Sequence, residues 1–429
     1  VRYNQPFGTP EPPLGTFPRY INGNPVTGTA GSIPPARAFD EVQIEILTVI
    51  MKAGADEGMA QTPSHDDLEQ LWKALQILFA QRFITTHIFK SVHGPGADFP
   101  NLIDAMEWVA RYVITPSGYV TFLVAGGQWT YVEPIEVNHA NANRIAVQGA
   151  ALKGASPLPP NISVTGFHSP TDGTNQIIYL RSVYATELIF TGGSSGFITY
   201  RDGVTLRYLL LTGSQTGNQV GIDAFGDVWV DGVAVWGMGH IGININSCQL
   251  LSQTSLSIVV CFCNNFGIVV TGGRVWDSGN QWWITCSNGI CGWNTWGTLV
   301  HVWLVDCRGH NPPPTNRALH VNQGTQFVIS GVGSQIDSNN VGGIFVAGAS
   351  TLDMRGAYCR FNQGWGLQMD GGFCWADFAT FQGNVEGSVY IRGGASCRVN
   401  GAVLNGGASG VISPPTLNEV GNNNSMIYT

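Results

Sequence analysis

"GASTLDMRGAYCRFN" (348–362), "GGFCWADFATFQGN" (371–384) and "GASCRVNGAVLNGG" (394–407) read as three versions of one phrase. With Gly348, Gly371 and Gly394 in register the step is 23 residues, twice. Thr351, Cys374 and Cys397 then share a column, and Leu352, Trp375 and Arg398 share the next. A fixed period in this range means one structural unit stacked along an axis. "GIVVTGG", "GIFVAGA" and "GLQMDGG", starting at Gly267, Gly343 and Gly366, are the same piece of successive coils. Three short strands per coil, punctuated by Gly, Asn and Asp, give a right-handed parallel β-helix of about 23 residues per coil.

Composition agrees. Only 11% of the 429 residues are charged and 56 are glycine, which suits a turn-rich β-solenoid better than a helical enzyme. The formal net charge is −8, and all four lysines (Lys52, Lys73, Lys90, Lys153) fall in the first 153 residues. Nucleic acid is therefore not an expected partner, because phosphate binding needs concentrated Lys and Arg. No apolar run reaches the roughly 18 residues that would suggest a membrane span. The start, "VRYNQPFGTP", has no signal-peptide core. The nine cysteines lie between Cys248 and Cys397. Buried thiols are the leading reading, ahead of disulfides, for which Cys374 and Cys397 are the natural pair, and of zinc. No metal or cofactor is expected.

Three regions follow. Residues 1–93 begin with a Pro/Gly-rich arm (1–35). Two amphipathic helices come next, one from Ala36 to about Ala53 and one after the N-cap at Ser64. Their broad apolar faces call for partners, either each other or copies in other subunits. Residues 94–157 hold one amphipathic helix over 96–113, with Phe99, Leu102, Ile103, Met106 and Val109 on one side, and then three short strands. Laid across the first coil, that helix would cover an edge otherwise open to other strands. Residues 158–429 are the β-helix, with insertions over 274–318.

Two familiar motifs carry no chemistry here. Gly237-x-Gly239-x-x-Gly242 lacks the helix that a phosphate loop opens. Gly192-x-Ser194-x-Gly196 lacks the strand–turn–helix of a nucleophile elbow. Glycoside cleavage needs two carboxyls about 5–10 Å apart, most simply in one column of adjacent rungs. At the 23-residue step Asp353 maps to Ala376, Asp370 to Gly393, Asp377 to Met354 and Asn400, and Asp337 to Arg360, so no acidic pair emerges. Asp277 and Asp306, in the irregular region, are the candidate catalytic pair. Six of thirteen tryptophans crowd into residues 276–303. Indole faces stack on the apolar faces of sugars. Trp276, Trp282, Trp293, Trp296 and Trp303, with Arg308, are the candidate carbohydrate-binding residues. Core packing and intersubunit contact are the competing reading of each.

The pieces in order resemble bacteriophage tail-fibre and tailspike proteins. "IPPARAFDEVQIEILTVIMKAG…TPSHDDLEQLWKALQ" is similar to the virion-proximal segment of such fibres. "GADFPNLIDAMEWVARYV…GGQWTYVEPIEV" resembles the start of pectate-lyase-like β-helices, with Gln128-Trp129-Thr130-Tyr131 where "GTY" is usual. The resemblance implies a homotrimer located in the virion, attached through residues 1–93 to other tail or baseplate proteins. It also implies contact with a host surface glycan outside the bacterial cell. A polysaccharide depolymerase on the same scaffold, or a purely structural tail, collar or baseplate fibre, are the alternatives.

Overall fold

The computed structural model describes Ile46, Thr48 and most of residues 82–429. It leaves out 154–172, 194, 202, 253–257, 262, 278–281, 286–287, 294–295, 301, 306–316, 331–333, 338, 340–341, 406–411, 414–424 and 429. The arm and both helices expected before residue 82 lie outside the described residues. Phe83–Thr429 form one compact unit.

That unit is mainly β, a parallel solenoid with few helices. Three sheets of 13, 11 and 11 parallel strands run its length. A coil visits each sheet once. Thr351–Asp353 lies in the first, Tyr358–Arg360 in the second and Trp365–Asp370 in the third, before Phe373–Trp375 returns to the first. The stack already includes His87–Val92, which pairs with Tyr119–Val124.

The register corrects the constant step. Leu352, not Thr351, lies beside Cys374, a step of 22, whereas Cys374 lies beside Cys397, a step of 23. The difference arises at one turn. Gly371 and Gly372, at φ +85° and +82°, link the third sheet to the first in two residues. The sister turns, 348–350 and 393–395, take three. A Cβ on Gly372 would stand 2.4 Å from the Ser350 carbonyl oxygen, so only glycine closes the shorter turn.

Strand alternation sends every second side chain inward. Leu352, Cys374 and Cys397 stack in one column, Ile336, Cys359 and Phe381 in a second, and Ile344, Leu367 and Val389 in a third, all fully buried. Each aliphatic side chain so buried contributes about 1.5–3 kcal/mol. Cys248, Cys263, Cys291, Cys359, Cys374 and Cys397 are buried and in the thiol form. Cys374 and Cys397 are thus neighbours without a disulfide. At the corner between the second and third sheets, Asn339, Asn362 and Asn384 form a buried ladder. Asn339 Nδ2 donates to Asn362 Oδ1 at 2.7 Å, and Asn362 Nδ2 donates to Asn384 Oδ1 at 2.8 Å.

The capping helix spans Leu102–Val109, shorter than the 96–113 expected. Phe99 is held in a bridge to Val92, and Asn101 caps the helix by accepting from the Asp104 amide at 2.9 Å. Leu102, Ala105, Met106 and Val109 are buried against the solenoid core. A second helix, Gly173–Val183, was not foreseen. Its Ile177, Leu180 and Val183 pack with Tyr184 on Leu210 and Ala234 of the second sheet. The 3-residue spacing of those apolar positions was the available signal.

Candidate functional site

The tryptophans of residues 276–303 are neighbours in sequence, but the coil distributes them over three sheets. Trp276 and Trp296 lie on strands of the first sheet, Arg274–Asp277 and Trp296–Val300. Trp282 and Trp303 lie on the second, on Trp282–Thr285 and Val302–Val305, with Trp283 register partner to Trp303. Trp293 ends Asn288–Trp293 of the third, between Thr271 and Asn322. Trp276 faces solvent at 41% exposure, with the Arg274 guanidinium 4.5 Å from its ring centre. A cation over an indole face is an attractive contact that holds the two side chains together.

Asp277 closes its strand beside Ser252. Asp306 and Arg308 lie outside the described residues. The strand leading to Asp306, Val302–Val305, belongs to the second sheet, whereas Asp277 belongs to the first. The two strands thus belong to different ladders.

Elsewhere in the coils the acids are matched with cations and amides. Asp231 lies beside Arg207, whose Nε donates to it at 3.2 Å. Asp370 lies beside Arg392, with 2.9 Å between Nη2 and Oδ2. Arg355 Nε donates to Asp353 at 2.9 Å, and Arg398 Nε lies 3.3 Å from Asp377. Asp337 accepts from both the backbone N–H and the guanidinium of Arg360. Asp223 and Asp227 accept from Asn244 and Gln249. Asp370 therefore maps to Arg392 rather than Gly393, and Asp353 to Trp375 rather than Ala376. The pairing of Asp337 with Arg360 is as expected from the 23-residue step.

Electrostatically these groups are tied down. Burial pushes the Asp337 carboxyl up, against the pull of Arg360. Burial acts the same way on Glu187, but hydrogen bonds from Arg181, Gln128 and Thr212 outweigh it and hold this carboxyl below its usual range. Glu187 thereby fastens the Gly173–Val183 helix to the second sheet. Such acids are held as structural anions, with no partner arranged to share a proton.

A hollow of about 360 Å³ opens beside the capping helix. Glu107, Glu133 and Glu136 line it above Ile103, Met106 and Val137. Three carboxylates on one rim repel an acidic polymer. His139, also at this hollow, is buried and committed to the fold: Nε2 meets the Tyr112 carbonyl at 2.8 Å and Nδ1 accepts from the Asn141 amide.

No protein-family model and no curated protein matches this chain. One solved structure is similar. It is ORF18 of Geobacillus virus E2, at 11% identity with a TM-score of 0.41, and the match covers 82% of this chain and 63% of that one.

Sequence reasoning missed a second surface. Phe361 and Phe378 stand at corners of consecutive coils, 49% and 67% exposed. Tyr358 and Arg360 sit between them on the second sheet, with the guanidinium 4.7 Å from the tyrosine ring centre. The signal was Phe378 in line with Gly401 and, once the 22-residue step is used, with Gly356.

Proposed function

We propose that this chain is a phage virion fibre that holds a host surface polysaccharide on the outer faces of its β-solenoid. The observation that carries the reading is the state of the acids. Within the described coils Asp231, Asp337, Asp370 and Asp377 are each matched to an arginine, and Asp223 and Asp227 to amides, while aromatic rings such as Trp276 and Phe378 are left facing solvent. That division suits adhesion better than cleavage, since stacking needs exposed rings and glycoside hydrolysis needs a paired acid and base. The resemblance of residues 33–76 and 96–137 to tail-fibre segments supports attachment to the virion through residues 1–93 and assembly as a homotrimer. Trp276, Trp282, Trp293, Trp296, Trp303 and Arg308 remain the candidate contacts around residues 276–308.

The test pairs retention with release. The full chain is passed over immobilised bacterial surface polysaccharides, and reducing ends are assayed in the eluate, with Asp277→Asn and Asp306→Asn alongside. Retention without new reducing ends is the expected result. Release abolished by either substitution would make the protein a depolymerase. Release unaffected by both would make it one that uses other residues. Neither retention nor release would favour a structural fibre.

A further inference from the structure

Phe361 and Phe378 adopt φ of +56° and +58°. In this left-handed region a side chain with a Cβ is strained, and a bulky one more so. The fold supplies the comparison. Gly356 and Gly401, which flank Phe378 in the stack, have φ of +73° and +66°, and Gly383, below Phe361, has +63°. The corner geometry is thus one that glycine meets without strain, and at two positions the chain carries phenylalanine instead. Burial does not compensate, because both rings remain half-exposed or more. Strain that brings little burial marks a position held for another purpose.

Each ring lies across the glycine of the next coil. A Cβ on Gly383 would be 2.6 Å from Phe361 Cδ1, and one on Gly401 would be 2.8 Å from Phe378 Cδ1. The rings are therefore fixed in place, roughly 15 Å apart across the second sheet and one rung, about 4.8 Å, apart along the axis. Between them lie Tyr358 and Arg360, then Thr380 and Gln382 on the following rung. Arg360 is held by Asp337 on one side and lies over Tyr358 on the other, so its free N–H groups are preorganised. The ionic groups bordering this face cancel in pairs, Arg360 with Asp337 and Arg355 with Asp353.

We infer that this face, framed by Phe361 and Phe378, is a binding platform for an uncharged polysaccharide, stacked on the two rings and hydrogen-bonded by Arg360 and Gln382. The inference rests on the reading of the chain as a glycan-binding fibre and assigns that role to a surface away from the tryptophan-rich coils. Charge selects the occupant: a face whose ions are internally matched has no surplus cation for an acidic polymer.

The test uses Phe361→Asn, Phe378→Asn and the double variant, because asparagine adopts the left-handed conformation readily. Full-length proteins are assayed on immobilised uncharged O-polysaccharides, with alginate and hyaluronate as acidic probes. Tm and sedimentation are measured in parallel. The expected result is retention of the parent on an uncharged polysaccharide, weakened about tenfold by each substitution, with Tm unchanged or raised and oligomeric state unchanged. Retention of the parent that both variants preserve would overturn this platform alone. A fall in Tm with retention preserved would make the rings corner shields. A change of oligomeric state would make the face a contact between copies. Parent protein retained only by acidic probes would overturn the platform, and retention by none would overturn the glycan-binding reading with it.

Discussion

His320 shows how a single side chain is committed by its place in the coil. It is 7% exposed beside Phe345, its register partner in the next coil, and its Nε2 has no hydrogen-bond partner. Burial first, and the Arg317 charge second, lower its pKa from 6.5 to about 4. The folded value lies below the unfolded one, so the neutral ring's contribution to stability is fully present above pH 6.5. It is lost as pH falls towards 4, by about 3 kcal/mol in all. Denaturant unfolding followed from pH 7.5 to 4 should show that loss, and His320→Leu should remove much of it while leaving stability at pH 7.5 equal or higher. A parent profile flat across this range would contradict the buried neutral ring. None of this was legible beforehand: the sequence shows His320 only as a histidine outside any ligand pattern, and burial on an outer column depends on what packs over it.

At the scale of elements, amphipathic spacing located the capping helix, and local competition set its ends. Phe99 was placed on the helix by spacing alone, but its backbone is engaged with Ser91 of the His87–Val92 strand and with His93 just after it. Pro100 then leaves Asn101 as the cap. Asn101→Ala removes the acceptor for the Asp104 amide and should cost about 1 kcal/mol, read as a lower urea midpoint with unchanged slope. Met106→Asp would place a charge at a buried position on the helix face and should do more than destabilise. By freeing the helix from the first coil it should expose strand edges and promote assembly, measurable by light scattering. Full solubility at native secondary-structure content would count against the helix as an edge cover. The tryptophan-rich stretch fared differently. Its crowding in sequence suggested one surface, but a coil that turns two corners within about 23 residues sends sequence neighbours to different faces, and only the register separates them.

For the whole molecule, stacking makes stability nearly one-dimensional, because each coil contacts mainly the coils before and after it. The period was readable because turns and inward residues recur; its alternation between 22 and 23 was not, because one two-glycine turn shortens the step without breaking the pattern. That same alternation hid the asparagine ladder, whose members lie 23 and 22 residues apart. The ladder offers a test of one-dimensional coupling. Asn362 Nδ2 also donates to the Ile336 carbonyl, and Asn362 accepts the Asn339 amide, so the residue ties three coils together in the dry interior. Asn362→Ala would leave these buried groups unmatched at a cost of about 2–4 kcal/mol. If coupling is between neighbours, the loss should be felt as faster amide exchange in residues 335–405 and beyond towards the C-terminal strands, where Val403 is already 44% exposed. The coils next to the capping helix, from Tyr119 to Val147, should keep their protection. Hydrogen exchange resolved by peptide reads both regions in one experiment. Equal acceleration in both would mean that the solenoid opens as one cooperative unit, and that a change at a single corner is transmitted through all three sheets to the capped end.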